Sequence, residues 1–345
     1  MYFNFKMRYK LSITLVFFFL QWGLFGQTKE QLLTKAQTQI DAKDFSNAIT
    51  SINQCLDLDG QLAVAYFHRG YCYLMLNKPN IAMVDFNQAI LLDANLLEAY
   101  FNRGLAHQTL KNYTFAEGDF TTYVKAKPND PKAYINLAFL HEEMSDYTSA
   151  IEDYSKYLKI NPKSTEVLKY RAIAYAQIDS VNLAIKDYTQ CYAINSNDST
   201  IWLLKGNVFY DAMRYKEAIE AYSLAILMNP VNREPLINRA DAYTASNQFE
   251  NAINDYKALL RFDQFNPDYY FNTAFCYLQL NQPNEAIVNF GKAIDNDYEN
   301  LGQLLTLRGV AYNNLQMKTE ACNDWQKAYA IGYKEAATYQ NNYCK

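Results

Sequence analysis

The sequence lacks the short motifs on which most catalytic sites are built. It contains no glycine-rich loop able to hold a phosphate, no nucleophile elbow and no cluster of residues with metal-ligand spacing. Only 3 of the 345 residues are histidine. The adjacent acids Glu142 and Glu143 would point about 100° apart on a helix, which indicates a solvated face rather than an acid–base pair. The sequence therefore predicts no enzyme, no cofactor and no metal; catalysis would need a site assembled from distant segments.

An excess of positive charge is also absent. Lys and Arg together number 32 and Asp and Glu number 36, so the formal net charge is −4 at pH 7. No basic stripe runs along the chain, and proteins that bind nucleic acid need one to neutralise phosphates. The composition therefore excludes nucleic acid as the expected partner.

The amino terminus differs from the rest of the chain. Residues 1–26 have the layout of a secretory signal peptide, because Lys6, Arg8 and Lys10 precede the apolar run Leu11–Leu20. This run is shorter than the roughly 20 residues of a membrane span. We expect cleavage and no span afterwards, with an uncleaved anchor as the alternative. The signal and the Asn- and Tyr-rich composition predict a periplasmic or extracellular protein of a Gram-negative bacterium.

One alanine recurs along the chain every 34 residues, with a final step of 35. A fixed period of this size is typical of stacked supersecondary units. The recurring residues are Ala48, Ala82, Ala116, Ala150, Ala184, Ala218, Ala252, Ala286 and Ala321.

Other positions of the period predict what each unit looks like. With Lys29 as position 1 and Ala48 as position 20, position 8 is always Ala or Gly and position 24 is always bulky. Polar turn residues such as Asn77-Lys78-Pro79 lie between positions 15 and 19. This pattern predicts that each unit consists of two amphipathic helices joined by a short turn. The two helices pack closely where one of them carries a small residue. The predicted units are 29–62, 63–96, 97–130, 131–164, 165–198, 199–232, 233–266, 267–300 and 302–335.

The pattern resembles the tetratricopeptide repeat. The shared features are small residues at positions 8 and 20, aromatic residues at positions 4, 11 and 24, and proline near position 32, as in Pro128, Pro162 and Pro230. The stretch from Tyr215 to Tyr222 is close to the family consensus. Over residues 29–335 the resemblance implies an all-α fold: a right-handed superhelical solenoid of nine helix-turn-helix repeats. We expect residues 334–345 to form a capping helix.

The resemblance also implies where a partner would bind. In this family the first helix of each repeat lines a concave surface, chiefly through positions 2, 5, 9, 12 and 13. Here positions 5 and 9 are largely apolar or aromatic, and asparagines at position 6 match an amide that can bond a peptide backbone. The chain departs at nearly every step from the pattern of lysine, asparagine and arginine that forms the family's carboxylate clamp, so a clamp is not expected. The candidate groove residues are Phe67, Tyr71, Phe101, Asn102, Leu105, Ile135, Asn136, Phe139, Phe271 and Phe275.

We therefore predict a non-catalytic scaffold of the cell envelope that binds a protein or peptide in this groove. Exposed apolar patches of such extent mark binding sites. The alternative for the patch is burial by neighbouring helices of a tightly curved stack. The alternative functions are a carbohydrate or cell-wall binder that uses the tyrosines as stacking platforms, and an enzyme. The sequence leaves the oligomeric state open.

Six cysteines divide into two kinds. Cys55 and Cys191 share position 27, a small core position, and are expected to be buried. Cys72 and Cys276 share position 10 and have the same expected role. The last two, Cys322 and Cys344, come level in a hairpin around Gly332, so we predict a disulfide that staples the terminal helix of an exported protein.

Two other repeating residues have competing interpretations. His107 and His141 both occupy position 11, and the same repeats carry Tyr123 and Tyr157 at position 27. We expect the phenols to hydrogen-bond the imidazoles, with a metal site as the alternative. Arginine recurs at position 7, either as an anion-binding ladder or as apolar stems that pack between helices. These arginines are Arg69, Arg103, Arg171, Arg239 and Arg308.

Overall fold

The computed structural model describes residues 27–344 as α-helices joined by short turns, and it contains no strand within that range. The fold class predicted from the period, all-α with paired helices, is therefore confirmed. The expected signal peptide, residues 1–26, lies outside the described residues. The chain divides into two compact units at Pro162, a division that the uniform period does not mark.

The first unit, as described from residue 27 to residue 162, holds four helix pairs. Within it, each helix packs against the helices before and after it in the chain. Its helices are α1 Lys29–Asp41, α2 Phe45–Leu58, α3 Ala63–Met75, α4 Pro79–Leu92, α5 Leu97–Thr109, α6 Tyr113–Ala126, α7 Pro131–Glu143 and α8 Tyr147–Ile160.

The second unit, described from residue 163 to residue 344, holds five helix pairs and a final short helix. Consecutive helices pack against each other here as well. Its helices are α9 Thr165–Gln177, α10 Val181–Ile194, α11 Thr200–Asp211, α12 Tyr215–Met228, α13 Glu234–Ala245, α14 Phe249–Leu260, α15 Pro267–Gln279, α16 Pro283–Asp295, α17 Leu301–Asn314, α18 Lys318–Ala330 and α19 Ala336–Tyr343.

The turn between the two helices of a pair has the same conformation in every repeat. The residue at position 15 takes a left-handed backbone conformation, with φ between 55° and 60°. This conformation ends the first helix, and the next amide donates back to it, as Asp44 N donates to Gln39 O at 2.8 Å. None of the nine residues is glycine: they are Lys43, Asn77, Lys111, Ser145, Asp179, Met213, Asn247, Asn281 and Gln316.

Close packing inside each pair depends on positions 8 and 24. A Cβ atom added to Gly104 would lie 2.8 Å from Cε1 of Phe120, and one added to Gly206 would overlap Cε1 of Tyr222. The aromatic ring of the second helix therefore lies directly on the backbone of the first. The predicted contact between small and bulky residues is confirmed, with the small side chain at position 8 supporting the ring at position 24.

Helix α19 covers the last pair. Ala336 at its start is buried, and the rings of Tyr339 and Tyr343 lie 5.3 Å and 5.7 Å from the ring of Trp325. Trp325 is the position-24 residue of the ninth repeat, so the terminal helix shields the final aromatic ring from solvent. Helices between residues 27 and 344 have at most 14 residues, and none is suited to crossing a membrane.

Candidate functional site

The arginines at position 7 are bound by carboxylates of their own repeats. In the second repeat, Arg69 Nε donates to Asp85 Oδ2 at 2.9 Å and Nη2 donates to Asp85 Oδ1 at 2.7 Å. The same two-bond pairing, 16 residues apart, joins Arg103 to Asp119. It recurs in Arg171–Asp187, Arg239–Asp255 and Arg308–Asp324. The aspartates are buried, so these guanidinium groups are occupied by internal anions rather than presented to an external one.

A third nitrogen of several arginines reaches the preceding repeat. Nη1 of Arg69 donates to Asn53 Oδ1 at 2.8 Å, and Nη1 of Arg103 donates to Asn87 Oδ1 at 2.7 Å. In the second unit, Nη1 of Arg239 donates to Ser223 Oγ at 2.9 Å. One guanidinium therefore ties its own helix pair together and joins it to the pair before it.

The fourth repeat lacks the arginine and uses His141 instead. Position 7 is Leu137, and His141 Nδ1 lies 3.0 Å from Oδ2 of the buried Asp153. Lys156 Nζ donates to the other oxygen of Asp153 at 2.8 Å. The hydrogen bond from Asp153 raises the pKa of His141 above its usual value, against the opposing effect of burial.

His107 has a different environment from His141. Its Nδ1 is buried without a hydrogen-bond partner among the described residues. Its ring stacks on Phe115 with 5.3 Å between centroids, and burial lowers its pKa. The expected bond to Tyr123 was wrong, because the phenol donates to Asp130 Oδ2 at 2.6 Å. Within residues 27–344, no group of three His, Cys, Asp or Glu residues could hold a metal ion.

Two candidate groove residues lie in the interior of their units. Phe101 is 9% exposed, and its ring packs against the rings of Phe120 and Tyr123 at 5.5 Å and 5.2 Å. Phe271 is 8% exposed and stacks on Tyr298 with 4.4 Å between centroids. These phenylalanines fill the space between helices, so a partner would not reach them without opening the repeats.

The other candidate residues are half-buried. Asn102 Nδ2 donates to Glu98 O at 2.8 Å and Asn136 Nδ2 donates to Lys132 O at 2.6 Å, so each amide bonds its own helix one turn back. Tyr71 contacts Phe45 edge-on at 6.4 Å. The half-buried members of the set, besides these, are Phe67, Leu105, Ile135, Phe139 and Phe275.

The structure contains an open cavity across the second, third and fourth repeats, with a volume of about 650 Å³. Most of its lining comes from positions 9, 12 and 13, and of the candidate residues Leu105 lies in it. Gln108 Nε2 donates to Glu143 Oε1 at 3.2 Å across the rim. The apolar lining is Leu74, Met75, Leu105 and Tyr113, and the polar lining is Gln108, Thr109, Lys111 and Glu143. The sequence-based candidates missed most of these residues because they were taken only from positions 5, 6 and 9, although positions 12 and 13 were also expected to line the groove.

Cys322 and Cys344 meet at the end of the second unit. Their sulfur atoms are 2.02 Å apart and their Cα atoms 5.7 Å apart, the spacing of a disulfide. The other four cysteines are buried, and burial raises the pKa of Cys72, Cys191 and Cys276 to about 11, which keeps these thiols protonated.

Paired helices that repeat along the chain define a helical repeat protein. In each pair a small residue of the first helix packs against a bulky side chain of the second. Family models agree with this class. A model described as TPR repeat matches residues 240–281, one described as tetratricopeptide repeat matches residues 131–164, and another of the same description matches residues 63–96, 199–232 and 267–300. The chain belongs to the tetratricopeptide repeat family.

Solved structures show the same fold. A tetratricopeptide repeat protein from Parabacteroides merdae is 19% identical, with a TM-score of 0.50, over 72% of this chain and 98% of that one. The C-terminal part of a TPR repeat-containing protein from Cytophaga hutchinsonii is 16% identical, with a TM-score of 0.62, over 70% of this chain and 98% of that one. No curated protein matches the sequence. The family supports a role in protein–protein interaction.

Proposed function

We propose that this protein is a non-catalytic interaction scaffold whose first unit holds an apolar segment of a partner protein. The observation that carries the proposal is the open cavity of about 650 Å³, lined by corresponding positions of three successive repeats. Repeats that present the same positions side by side create an extended concave binding surface.

The lining of the cavity favours an amphipathic helix as the occupant. Leu74, Met75 and Leu105 form an apolar floor, and Met75 is 44% exposed, so a partner would remove apolar surface from water. Lys111 and Glu143 on the rim offer one charge of each sign to the polar face of such a helix. A helix whose apolar side chains recur every three or four residues fits this arrangement.

The proposed setting is the cell envelope. The layout of residues 1–26 supports export, and a bridge between Cys322 and Cys344 would be maintained in an oxidising compartment. Cleavage at that segment would leave the described helices as the exported scaffold.

A site-specific photo-crosslink tests the proposal. A benzophenone amino acid replaces Met75 in cells that make the protein natively, and the matched control carries it at Leu91, which is 78% exposed and lies outside the cavity. We expect a discrete adduct from position 75 that maps to an amphipathic helical segment of one protein. Adding L105S should remove the adduct, and L91S should leave it intact.

Equal adducts from positions 75 and 91, no adduct at position 75, or attachment to a glycan would overturn the proposal. Leu105 is half-buried, so the folding of L105S must be checked by its helical circular dichroism. A folded L105S protein that still captures the partner would also count against the cavity.

A further inference from the structure

A second cavity lies entirely in the second unit and has a different chemistry. It has a volume of about 250 Å³ and lies between the first helices of the sixth and seventh repeats. All of its lining side chains are polar or phenolic: Asn207, Tyr210, Asp211, Tyr222, Asn238 and Asp241. The period places Asn207 and Asp241 at the same position of successive repeats, so the cavity belongs to the same face of its unit as the apolar cavity does in the first.

Hydrogen bonds fix the wall of this cavity. Tyr222 donates its hydroxyl hydrogen to Asn207 Oδ1 at 2.9 Å, and Asn238 Nδ2 donates to the same oxygen at 3.0 Å. Asp241 Oδ1 accepts from the hydroxyl of Tyr256 at 2.6 Å. These contacts hold the amide of Asn207 and the carboxylate of Asp241 in defined positions before any ligand arrives.

The carboxylates of the cavity have no cationic partner in the part of the chain that the structure describes. Neither Asp211 nor Asp241 forms an ion pair with a Lys, Arg or His of residues 27–344. The buried Asp255 in the same repeat as Asp241 has two bonds from Arg239. Asp241 is therefore a partly buried acid that accepts a hydrogen bond from a phenol, whereas the neighbouring Asp255 is paired with a guanidinium. A partly buried carboxylate without a cationic partner is costly in free energy.

The electrostatics of the surrounding groups agree with this geometry. Burial raises the pKa of Asp241, and the hydrogen bond from Tyr256 opposes that effect only in part. Burial also raises the pKa of Tyr210 and Tyr222, and the charges of Asp211 and Asp241 contribute to both shifts. The lining of the cavity has two carboxylates and no Lys, Arg or His, and a cation interacts more strongly with acids in such a partly desolvated space than in bulk water.

We propose that this cavity binds the cationic side chain, arginine or lysine, of a protein partner. Asp211 and Asp241 supply the charge, and the ring of Tyr210 offers an aromatic face to the same cation. The proposed occupant is a side chain rather than a metal ion, because within residues 27–344 no group of three or more His, Cys, Asp or Glu residues could hold a metal. The site goes beyond the proposed helix-binding cavity, because it lies in the other unit and recognises charge rather than apolar surface.

Titration of the full chain with acetyl-arginine amide and acetyl-lysine amide tests this inference. Side-chain amide signals of Asn207 and Asn238 report binding by NMR. We expect them to shift with a dissociation constant on the order of 1–10 mM, as befits a single side chain. Acetyl-citrulline amide has nearly the same shape without the charge and should produce no shift.

Three variants distinguish binding in the cavity from attraction by the overall negative charge of the protein. D241N and D211N should each weaken binding by about tenfold or more. E220Q removes one negative charge from helix α12 at an exposed position outside the cavity and should leave binding unchanged. The amide oxygen introduced by D241N can still accept a hydrogen bond from Tyr256, and Asp211 is exposed, so neither aspartate variant should lower the melting temperature.

Equal binding of citrulline, or unchanged affinity in both D241N and D211N, would overturn the proposal. Shifts produced by methyl glucoside, with none from arginine or lysine, would make this a carbohydrate site instead. L105S in the first unit should leave the arginine titration unchanged, so failure of either proposal can be recognised independently of the other.

Discussion

Arg103 and Asp119 form a two-bond ion pair inside the third repeat, with Nε 2.9 Å from Oδ2 and Nη2 2.7 Å from Oδ1. The side chain of Asp119 is 8% exposed and that of Arg103 is 22% exposed. Because both groups satisfy each other away from bulk water, removal of one leaves an uncompensated charge in the repeat.

The first prediction follows from this pair. D119A should lower the free energy of unfolding by about 3 kcal/mol, measured by urea denaturation with circular dichroism. E217A removes the carboxylate of an ion pair whose partners are each 40% exposed, so its loss of stability should be much smaller than that of D119A. Equal losses from the two variants would contradict a special role for the buried pair.

The sixth repeat suggests a double substitution as a second arm of this experiment. It carries Lys205 and Ala221 at the positions of Arg103 and Asp119. R103K/D119A reproduces that combination and should be less destabilised than the sum of its two single variants, because the two residues interact directly. Simple additivity would show that the two side chains act independently.

Glycine at position 8 gives the second prediction. G104A places a Cβ atom 2.8 Å from the ring of Phe120, so it should destabilise by about 1–3 kcal/mol. G118A lies on helix α6, where an added Cβ meets nothing within 4 Å, and should stabilise by up to about 1 kcal/mol through helix propensity. The melting temperatures of the two variants should change in opposite directions relative to wild type. A change in the same direction would show that the close contact at Gly104 does not limit stability.

His141 gives the third prediction, which concerns pH. Its pKa in the folded protein is raised by Asp153, so protonation favours the folded state. This contribution is fully present below the unfolded pKa near 6.5 and is lost as pH rises through the higher folded value. H141Q keeps a hydrogen-bond donor at this site but cannot titrate. In the first repeat, Gln39 stands at the same position and accepts a hydrogen bond from Ser51.

The stability difference between wild type and H141Q should therefore shrink as pH is raised from about 5.5 to 8.5. Urea denaturation at several pH values measures this difference and cancels the titration of other groups. A difference that stays constant, or grows with pH, would contradict the assigned role of His141.

The C-terminal cysteines give the fourth prediction. Thiol labelling of the unfolded, non-reduced protein should modify Cys55, Cys72, Cys191 and Cys276 and leave Cys322 and Cys344 unmodified. All 6 cysteines should react after reduction. C344S should lower the melting temperature of the last helices, since the bridge restricts the unfolded chain. Labelling of both Cys322 and Cys344 without reduction would show that the disulfide is absent.

The 34-residue period is sufficient to predict the helix pairs, because position 8 and position 24 must touch in every repeat. The aspartate partners of the position-7 arginines were also readable, since Asp85, Asp119, Asp187, Asp255 and Asp324 each follow an arginine by 16 residues. These aspartates recur with the same 34-residue period as the arginines, but the prediction treated the arginines alone.

Burial of Phe101 and Phe271 could not be read from the period. Phe101 is covered by Tyr123 and Phe271 by Tyr298, and the angle between neighbouring helices decides whether these rings meet. The polar cavity was missed for the same reason, because Asn207 and Asn238 come together only when successive repeats are stacked. Residue types predict the contact between positions 8 and 24, whereas these other contacts depend on how neighbouring helices are arranged in three dimensions.

The left-handed residue at position 15 has a consequence for protein engineering. Met213, for example, is 75% exposed, yet its backbone has φ of 57°, a conformation that glycine adopts without strain. Every 34 residues the chain therefore offers a surface position where a label or a grafted loop can be introduced without touching the interior. A surface engineered in this way would carry one attachment point in each of the nine repeats.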